Sequence, residues 1–169
     1  MDYSHKSFPF NYPDAPVIIL KKHKEKLRTG LEDVLTKGLI AGDGVDVMAR
    51  NLRRQVDIGA YNARRLIRTE TNRAFNLGSL ASYINAGLEF YQFLAKLDHK
   101  TSEQCKALDD EIFPITHAVP GSNLPPLHPN CRSCIAPYFP GEEERTELEE
   151  IFAGDGNTTD NPPKERVSP

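Results

Sequence analysis

The sequence predicts an α+β domain that is mainly helical, with N-terminal helices packed on a small antiparallel sheet. Before residue 87, apolar residues recur at steps of three and four, which is typical of helices with one buried face. After it, residues 90–97 alternate between apolar and polar, as a half-buried strand does. Residues 98–134 are rich in proline, cysteine and histidine, and this composition indicates a loop segment.

Three helices are predicted, over residues of about 17–37, 45–57 and 60–86. The first is expected to end at Gly38, with Gly42-Asp43-Gly44 following, because glycine commonly follows the last turn of a helix. The third helix has the longest apolar pattern, at alternating steps of four and three, which predicts a continuous buried face. The positions on that face are Ala63, Ile67, Glu70, Ala74, Leu77, Ala81 and Ile84.

The small sheet is expected to combine the strand at 90–97 with two short apolar runs, Ile112-Phe113 and residues 135–139. Between them, a turn is expected at Asp98-His99-Lys100-Thr101, and the run Thr101-Ser102-Glu103-Gln104 is expected to cap a short helix that carries Cys105 and Leu108. We therefore expect one domain at residues 17–140, with the sheet and its loops at 88–140. A chain of 169 residues can bury such a core without disulfide bonds.

Both ends of the chain have the composition of segments outside the core. Residues 1–16 contain three prolines among aromatic residues, which favours an extended arm. Residues 141–169 are acidic and then rich in Gly, Asn, Thr and Pro, so a disordered tail is expected there. The first ten residues lack the apolar centre of a signal peptide, and no apolar run approaches the ~20 residues of a membrane span.

The net charge of −3 hides an uneven distribution, since arginines crowd the middle of the chain and acidic residues gather at its end. A basic helical face is often only a solvated surface, but clustered cations also suit the phosphates of DNA. The candidates for DNA contact are Arg53, Arg54, Arg64 and Arg65. No phosphate-binding glycine motif occurs in the chain.

Glu70 is a carboxylate at a position where the apolar pattern calls for an aliphatic residue. It could lie at the edge of a wide face, or pair with Arg73 on its own helix. Alternatively it is buried and paired with a cation from the cysteine-containing segment, because an unpaired buried carboxylate would cost several kcal/mol. Arg132 is the expected partner in that case, since its planar guanidinium suits a carboxylate. This structural ion pair, Glu70 with Arg132, is our prediction.

The three cysteines lie together in the loop segment, and their odd number argues against a disulfide framework. Cys131 and Cys134 have the spacing of half a zinc site, with His128 and Cys105 as further ligands. Position 102, where a second paired cysteine would stand, is serine. The residues therefore leave two readings open: a zinc site formed by these four residues, or buried reduced thiols.

An enzymatic alternative uses Glu70, His128 and Cys131, as in a hydrolase or a group transferase. Arg132 and His128 beside Cys131 would lower the pKa of a thiol and make it nucleophilic. No oxyanion hole or third catalytic group is recognisable in the sequence. The residues alone therefore give little support for a nucleophilic cysteine, and the enzymatic alternative stays open at this point.

Several fragments along the chain resemble the Mu F-like phage head morphogenesis family, the minor capsid proteins. The fragments are Arg65-x-x-Arg68-Thr69-Glu70-Thr71-x-Arg73-Ala74-Phe75-Asn76-x-Gly78, Leu97-Asp98-x-x-Thr101, Cys105-x-Ala107-Leu108-Asp109, Ile112-Phe113-Pro114 and Pro125-Pro126-Leu127-His128-Pro129-Asn130-Cys131-Arg132. The resemblance covers roughly residues 45–140. The matched positions are Thr69, Glu70, Asp98, Thr101, Cys105, Asp109, His128, Pro129, Cys131 and Arg132.

The resemblance implies a virion component of a tailed bacteriophage rather than an enzyme, in the capsid interior or at the portal vertex. The portal protein and other head proteins are the implied partners, with packaged DNA as a further one and no membrane. Such proteins act in head assembly, and in several phages they travel with the DNA. The family often has cysteines where this chain has Ser102 and Ser133, while Cys134 lies one step later. Many relatives also have a longer helical N-terminal region.

Overall fold

The computed structural model describes residues 24–153 and has the predicted α+β architecture. Three helices come first, and a three-stranded antiparallel sheet with two further helices follows. The helices are α1 (Lys24–Ala41), α2 (Val45–Gln55), α3 (Ala60–Asn85), α4 (Glu103–Ala107) and α5 (Glu142–Ala153), and the strands are β1 (Phe90–Leu94), β2 (Ile112–Pro114) and β3 (Cys134–Tyr138). The predicted arm at 1–16 and the start of the first predicted helix lie outside the described residues.

The first three helices pack around their own apolar core. Met48 and Leu52 of α2 lie against Ala63 and Ile67 of α3, and Val34 of α1 completes the cluster. All five side chains are buried, because each helix turns its apolar stripe toward the other two. This core lies at the N-terminal half of α3.

Gly38 does not end the first helix as predicted, since α1 continues to Ala41. A Cβ atom at Gly38 would lie 2.5 Å from Cγ of the buried Met48. The glycine is therefore needed for the close approach of α1 and α2. The left-handed residue that follows the helix is Gly42, whose φ is 73°. The sequence contains both glycines, and only packing distinguishes them.

The sheet has the strand order β2-β1-β3, and both pairings are antiparallel. Tyr91 and Phe93 of the central strand are fully buried, and they pack with Phe113 of β2, Ile135 of β3 and Leu80 of α3. The predicted union of the three short strands is confirmed. This second core covers the C-terminal half of α3, so that helix joins the two halves of the fold.

The predicted buried face of α3 is wrong in its second half. Ala74 is exposed and Ile84 is 45% exposed, whereas Asn76 and Leu80 are buried. Positions 76 and 80 lie one residue before 77 and 81, which is about 100° around a helix. The sheet therefore packs on a face next to the one that the apolar spacing indicated. The spacing failed because the sheet contacts α3 partly through polar groups.

The predicted disordered tail is also wrong for residues 142–153, which form α5. Leu148 is buried against the rest of the protein, and the Tyr138 hydroxyl donates to Oε1 of Glu144 at 2.6 Å. Arg145 forms a salt bridge with Glu89 at the start of the sheet. The acidic residues of α5 suit its first turn, where they face the positive end of the helix dipole. Within residues 24–153, no helix is long and apolar enough to cross a membrane.

Candidate functional site

Polar side chains from three segments meet beside the sheet. The segments are the middle of α3, the turn after β1 with the start of α4, and the loop that leads into β3. We call this region the polar junction, and its residues are Thr69, Asp98, Thr101, Ser102, Cys105, His128, Asn130, Cys131, Arg132 and Ser133. The segments are brought together because β1 and β3 are neighbours in the sheet and α3 packs across it.

Asp98 and Arg132 form the ion pair of the polar junction. Nη1 of Arg132 donates to Oδ2 of Asp98 and Nη2 donates to Oδ1, at 2.6 Å each. Asp98 Oδ1 also accepts from the backbone N–H of Lys100 at 2.8 Å, which closes the turn that was predicted there. The guanidinium hydrogen bond, followed by that backbone bond, holds the pKa of the Asp98 carboxyl well below its usual range.

The predicted ion pair between Glu70 and Arg132 is wrong. Glu70 Oε2 accepts instead from Nε of Arg73 at 3.0 Å, one helical turn along α3. Glu70 is half-buried, as the alternative that placed it at the edge of the face required. Arg132 pairs with Asp98 because the turn after β1 lies next to the loop that enters β3. The guanidinium is thus neutralised within the cysteine-containing half of the protein.

Polar side chains of α3 hold the loop before β3 in place by hydrogen bonds to its backbone. Thr69 Oγ1 accepts from the N–H of Asn130 at 3.0 Å, and Nδ2 of Asn72 donates to the Ser133 carbonyl at 2.9 Å. Further along α3, Oδ1 of the buried Asn76 accepts from the N–H of Ile135 at 3.0 Å. Because β3 is an edge strand, this amide provides a partner for a backbone group that the sheet would otherwise leave unpaired.

Sequence reasoning missed the roles of Asn72 and Asn76. The two residues are four positions apart, and Nδ2 of Asn76 also donates to the Asn72 carbonyl at 2.9 Å. That spacing puts both amides on one line of the helix, which is a signal that the sequence contains. It was not recognised, because the apolar pattern was followed to the neighbouring face.

The structure brings together Cys105, His128 and Cys131, three of the four predicted metal ligands. Their ligand atoms lie within 4.8 Å of one another, with 3.8 Å between the two sulfurs and 3.2 Å from Cys105 Sγ to His128 Nε2. Both cysteines are buried, and burial raises the pKa of the Cys105 thiol. Cys134 is not in this group, because the chain has entered β3 there and its side chain is exposed.

The Nδ1 atom of His128 fixes the position of the imidazole ring, because it is hydrogen-bonded to the backbone. Nδ1 lies 3.0 Å from the carbonyl oxygen of Pro129, which can only accept, so Nδ1 donates the proton of this contact. In the neutral ring, Nε2 then presents a lone pair to the sulfur of Cys105. Such a carbonyl partner is what orients many histidine ligands of metals. The three side chains therefore fit a zinc ion in residue type, spacing and orientation.

Two serines border the Cys-His group, at the positions where the resemblance implied cysteines. Ser102 Oγ lies 2.9 Å from His128 Nε2 and caps α4 by accepting from the N–H of Cys105 at 3.2 Å. Ser133 is buried, and its side chain acts to lower the pKa of the Cys105 thiol, against the larger effect of burial. Serine hydroxyls thus lie beside the imidazole and the Cys105 thiol.

The enzymatic alternative required Glu70 to join His128 and Cys131. Among the described residues, the potential ligands that lie close enough to share a metal ion are Cys105, His128 and Cys131. Glu70 does not belong to this group. The cavity beside this group has a volume of about 20 Å³. That volume is room for a water molecule or an ion, whereas organic ligands occupy roughly 300–1,000 Å³.

The remaining predicted positions lie around the polar junction or on the helices. Asp109 Oδ1 accepts from the N–H of Ala95 at 2.7 Å and so joins the end of α4 to β1. Of the four arginines proposed for DNA contact, Arg53 and Arg54 are exposed in the last turn of α2. Arg64 forms a salt bridge with Asp46 at 2.8 Å, and Arg65 lies over the ring of Tyr61.

Comparison with known proteins gives a match to a protein family. The family model described as "Phage Mu protein F like protein" matches residues 29–136, from α1 into β3. A search of curated proteins and a search of solved structures each gave no significant match. The matched residues make up most of the described fold and include the whole polar junction. The chain therefore belongs to the phage Mu F-like family of head morphogenesis proteins.

Proposed function

We propose that this protein is a minor capsid protein of a tailed bacteriophage that binds the portal protein or other inner head proteins and acts in head assembly. The observation that carries the proposal is the family match over residues 29–136. The polar residues that carry the resemblance form hydrogen bonds with other residues of the same chain, as Asp98 does with Arg132 and Thr69 with Asn130. This arrangement suits a protein whose task is to present a stable surface to partners.

The contacts of the polar junction support a structural role for its residues. Asp98 accepts from both Arg132 and a backbone N–H, and Thr69 accepts from a backbone N–H across the junction. A side chain that is fully engaged in this way stabilises the fold, because breaking the contact would leave a polar group without a partner. The small cavity beside the Cys-His group leaves no space for an organic substrate.

Quantitative mass spectrometry of purified phage particles tests the proposal. We expect the protein in DNA-filled heads at a constant, low number of copies. We also expect that a phage in which the gene for this protein is interrupted makes heads that are defective or lack DNA. Supplying the wild-type gene in trans should restore normal heads. A protein that is absent from both immature and mature heads, with normal heads in the interrupted phage, would exclude this function.

We also propose that the corner formed by the end of α2 and the start of α3 contacts packaged DNA. Arg53 and Arg54 are exposed on α2, and Arg65 is half-buried beside Tyr61 on α3. Arg64 belongs to the same corner, although Asp46 neutralises part of its charge. Phosphate contact needs clustered cations and no base-reading motif, and such binding weakens steeply as salt rises.

Filter binding to duplex DNA at low salt tests this contact. Replacing Arg53, Arg54 and Arg65 together by Gln should lower the affinity at least about tenfold, since each arginine contributes to counterion release. The matched control replaces Lys96, Lys100 and Lys106 by Gln, which changes the net charge equally in the sheet half of the protein. If both triple variants bind equally, or if the wild-type protein does not bind, the corner is not a DNA-contact surface.

A further inference from the structure

Two interatomic distances in the Cys-His group of the polar junction agree with a metal site that has one ligand fewer than a closed one. Zinc takes thiolates at about 2.3 Å and imidazole nitrogens at about 2.0–2.1 Å, so a tetrahedral site places two sulfurs about 3.8 Å apart. The sulfurs of Cys105 and Cys131 are 3.8 Å apart. In the same geometry a sulfur and a nitrogen lie about 3.5 Å apart, and Cys105 Sγ lies 3.2 Å from His128 Nε2.

We propose that the protein binds one divalent zinc-type cation through Cys105 Sγ, Cys131 Sγ and His128 Nε2. The fourth corner of the tetrahedron is left to a water molecule or to the Ser102 hydroxyl, which already lies 2.9 Å from Nε2. Cys134 takes no part, although its spacing from Cys131 suggested it, because its side chain is exposed outside the group. This inference does not depend on where in the phage head the protein acts.

The surroundings of the three ligands agree with a structural site. The Pro129 carbonyl orients the imidazole so that its lone pair faces the sulfurs. The ion would join α4, which is only five residues long, to the irregular loop that leads into β3. Short segments of this kind gain much of their order from a cross-link, and metal binding then adds directly to folding stability. On binding, each of the two thiols gives up its proton to the solvent.

The direct test is metal titration of the full chain after removal of metal with a chelator. Zn²⁺ should bind at one equivalent per chain, and Co²⁺ in its place should show thiolate charge-transfer absorption with the intense visible bands of a tetrahedral site. Cys134→Ser, the matched control, should keep the same stoichiometry and spectrum. Cys131→Ser should lower the affinity more than about 100-fold, since even outer partners of metal ligands contribute 10–100-fold.

A second variant keeps the test independent of folding losses. Ser102→Cys adds a thiolate at the fourth corner, and it should raise the zinc affinity at least about tenfold because thiolate binds this ion better than a neutral oxygen does. Failure of the wild-type protein to bind Zn²⁺ and Co²⁺ would overturn the proposal. Cobalt spectra without thiolate absorption would overturn it too. In either case the three groups would be joined only by hydrogen bonds from S–H and O–H to Nε2.

Discussion

The guanidinium of Arg132 donates to both carboxylate oxygens of Asp98, with each hydrogen bond at 2.6 Å. The two side chains are each 28% exposed, and they join the turn after β1 to the loop before β3. Two parallel hydrogen bonds restrict orientation as well as distance. This pair therefore sets how the proline-rich loop lies against the start of α4, next to the Cys-His group.

The Asp98 carboxylate should make stability depend on pH. Its pKa is lower in the folded protein than in the unfolded chain, where an aspartate titrates near about 3.9. Its stabilising contribution is therefore complete above the unfolded value and is lost as the pH falls through the folded one. Urea unfolding in the presence of a chelator should give wild type a clearly larger free energy of unfolding than Asp98→Asn at about pH 7. This difference should shrink below about pH 4. A gap that is constant over this range would contradict the assignment.

Asn76 should be more important for stability than its polar character suggests. Asn76→Ala removes the acceptor of the Ile135 N–H inside the protein and should lower the free energy of unfolding by about 2–3 kcal/mol. Asn62→Ala, on the exposed side of the same helix, is the control and should change it by less than about 0.5 kcal/mol. Equal effects in chemical denaturation would show that the amide does not hold β3.

Two glycines in helices should respond to alanine with opposite signs. At Gly38 the new Cβ would lie 2.5 Å from Met48 Cγ, so Gly38→Ala should destabilise the protein by about 1–3 kcal/mol. At Gly78 nothing lies within 4 Å of the new atom, and Gly78→Ala should stabilise α3 by about 0.5–1 kcal/mol. Thermal unfolding of the two variants measures both signs. A stabilised Gly38→Ala would mean that α1 and α2 are not closely packed there.

The helix α5 should contribute to the fold through Leu148. Leu148→Ala removes a buried side chain and should cost about 2–3 kcal/mol. Ile151 is 47% exposed on the same helix, so Ile151→Ala should cost much less. Denaturant midpoints of the two variants test the difference. If the midpoint of Leu148→Ala equals that of wild type, residues 142–153 behave as the tail that their composition suggested.

Local signals in the sequence predicted which elements form, and they failed where packing decides. Alternation identified β1, and a cap was expected within residues 101–104, where the structure has Ser102, because both signals depend on neighbouring residues. Gly38 was taken for a helix end, since its contact with Met48 involves another helix. The acidic start of α5 resembled a disordered tail, because one buried leucine gives little periodic signal.

The candidate site shows the same division between local and long-range information. The grouping of Cys105, His128 and Cys131 could be anticipated from their residue types and from the loop that contains them. The partner of Arg132 could not, because many carboxylates lie upstream and periodicity does not report which turn is adjacent in space. Glu70 was preferred for its place in an apolar pattern, but Arg73 one turn away already neutralises it.

The partner of Arg132 is Asp98 and not Glu70, and this pairing joins the loop before β3 to the turn after β1. A double-mutant cycle in chelator measures this, with Asp98→Asn and Glu70→Gln each combined with Arg132→Gln. We expect a coupling free energy for Asp98 with Arg132 that is clearly larger than experimental error, and none for Glu70 with Arg132. The exposed pair of Glu103 and Lys106 serves as the surface reference. Coupling of Arg132 to Glu70, with none to Asp98, would contradict the account.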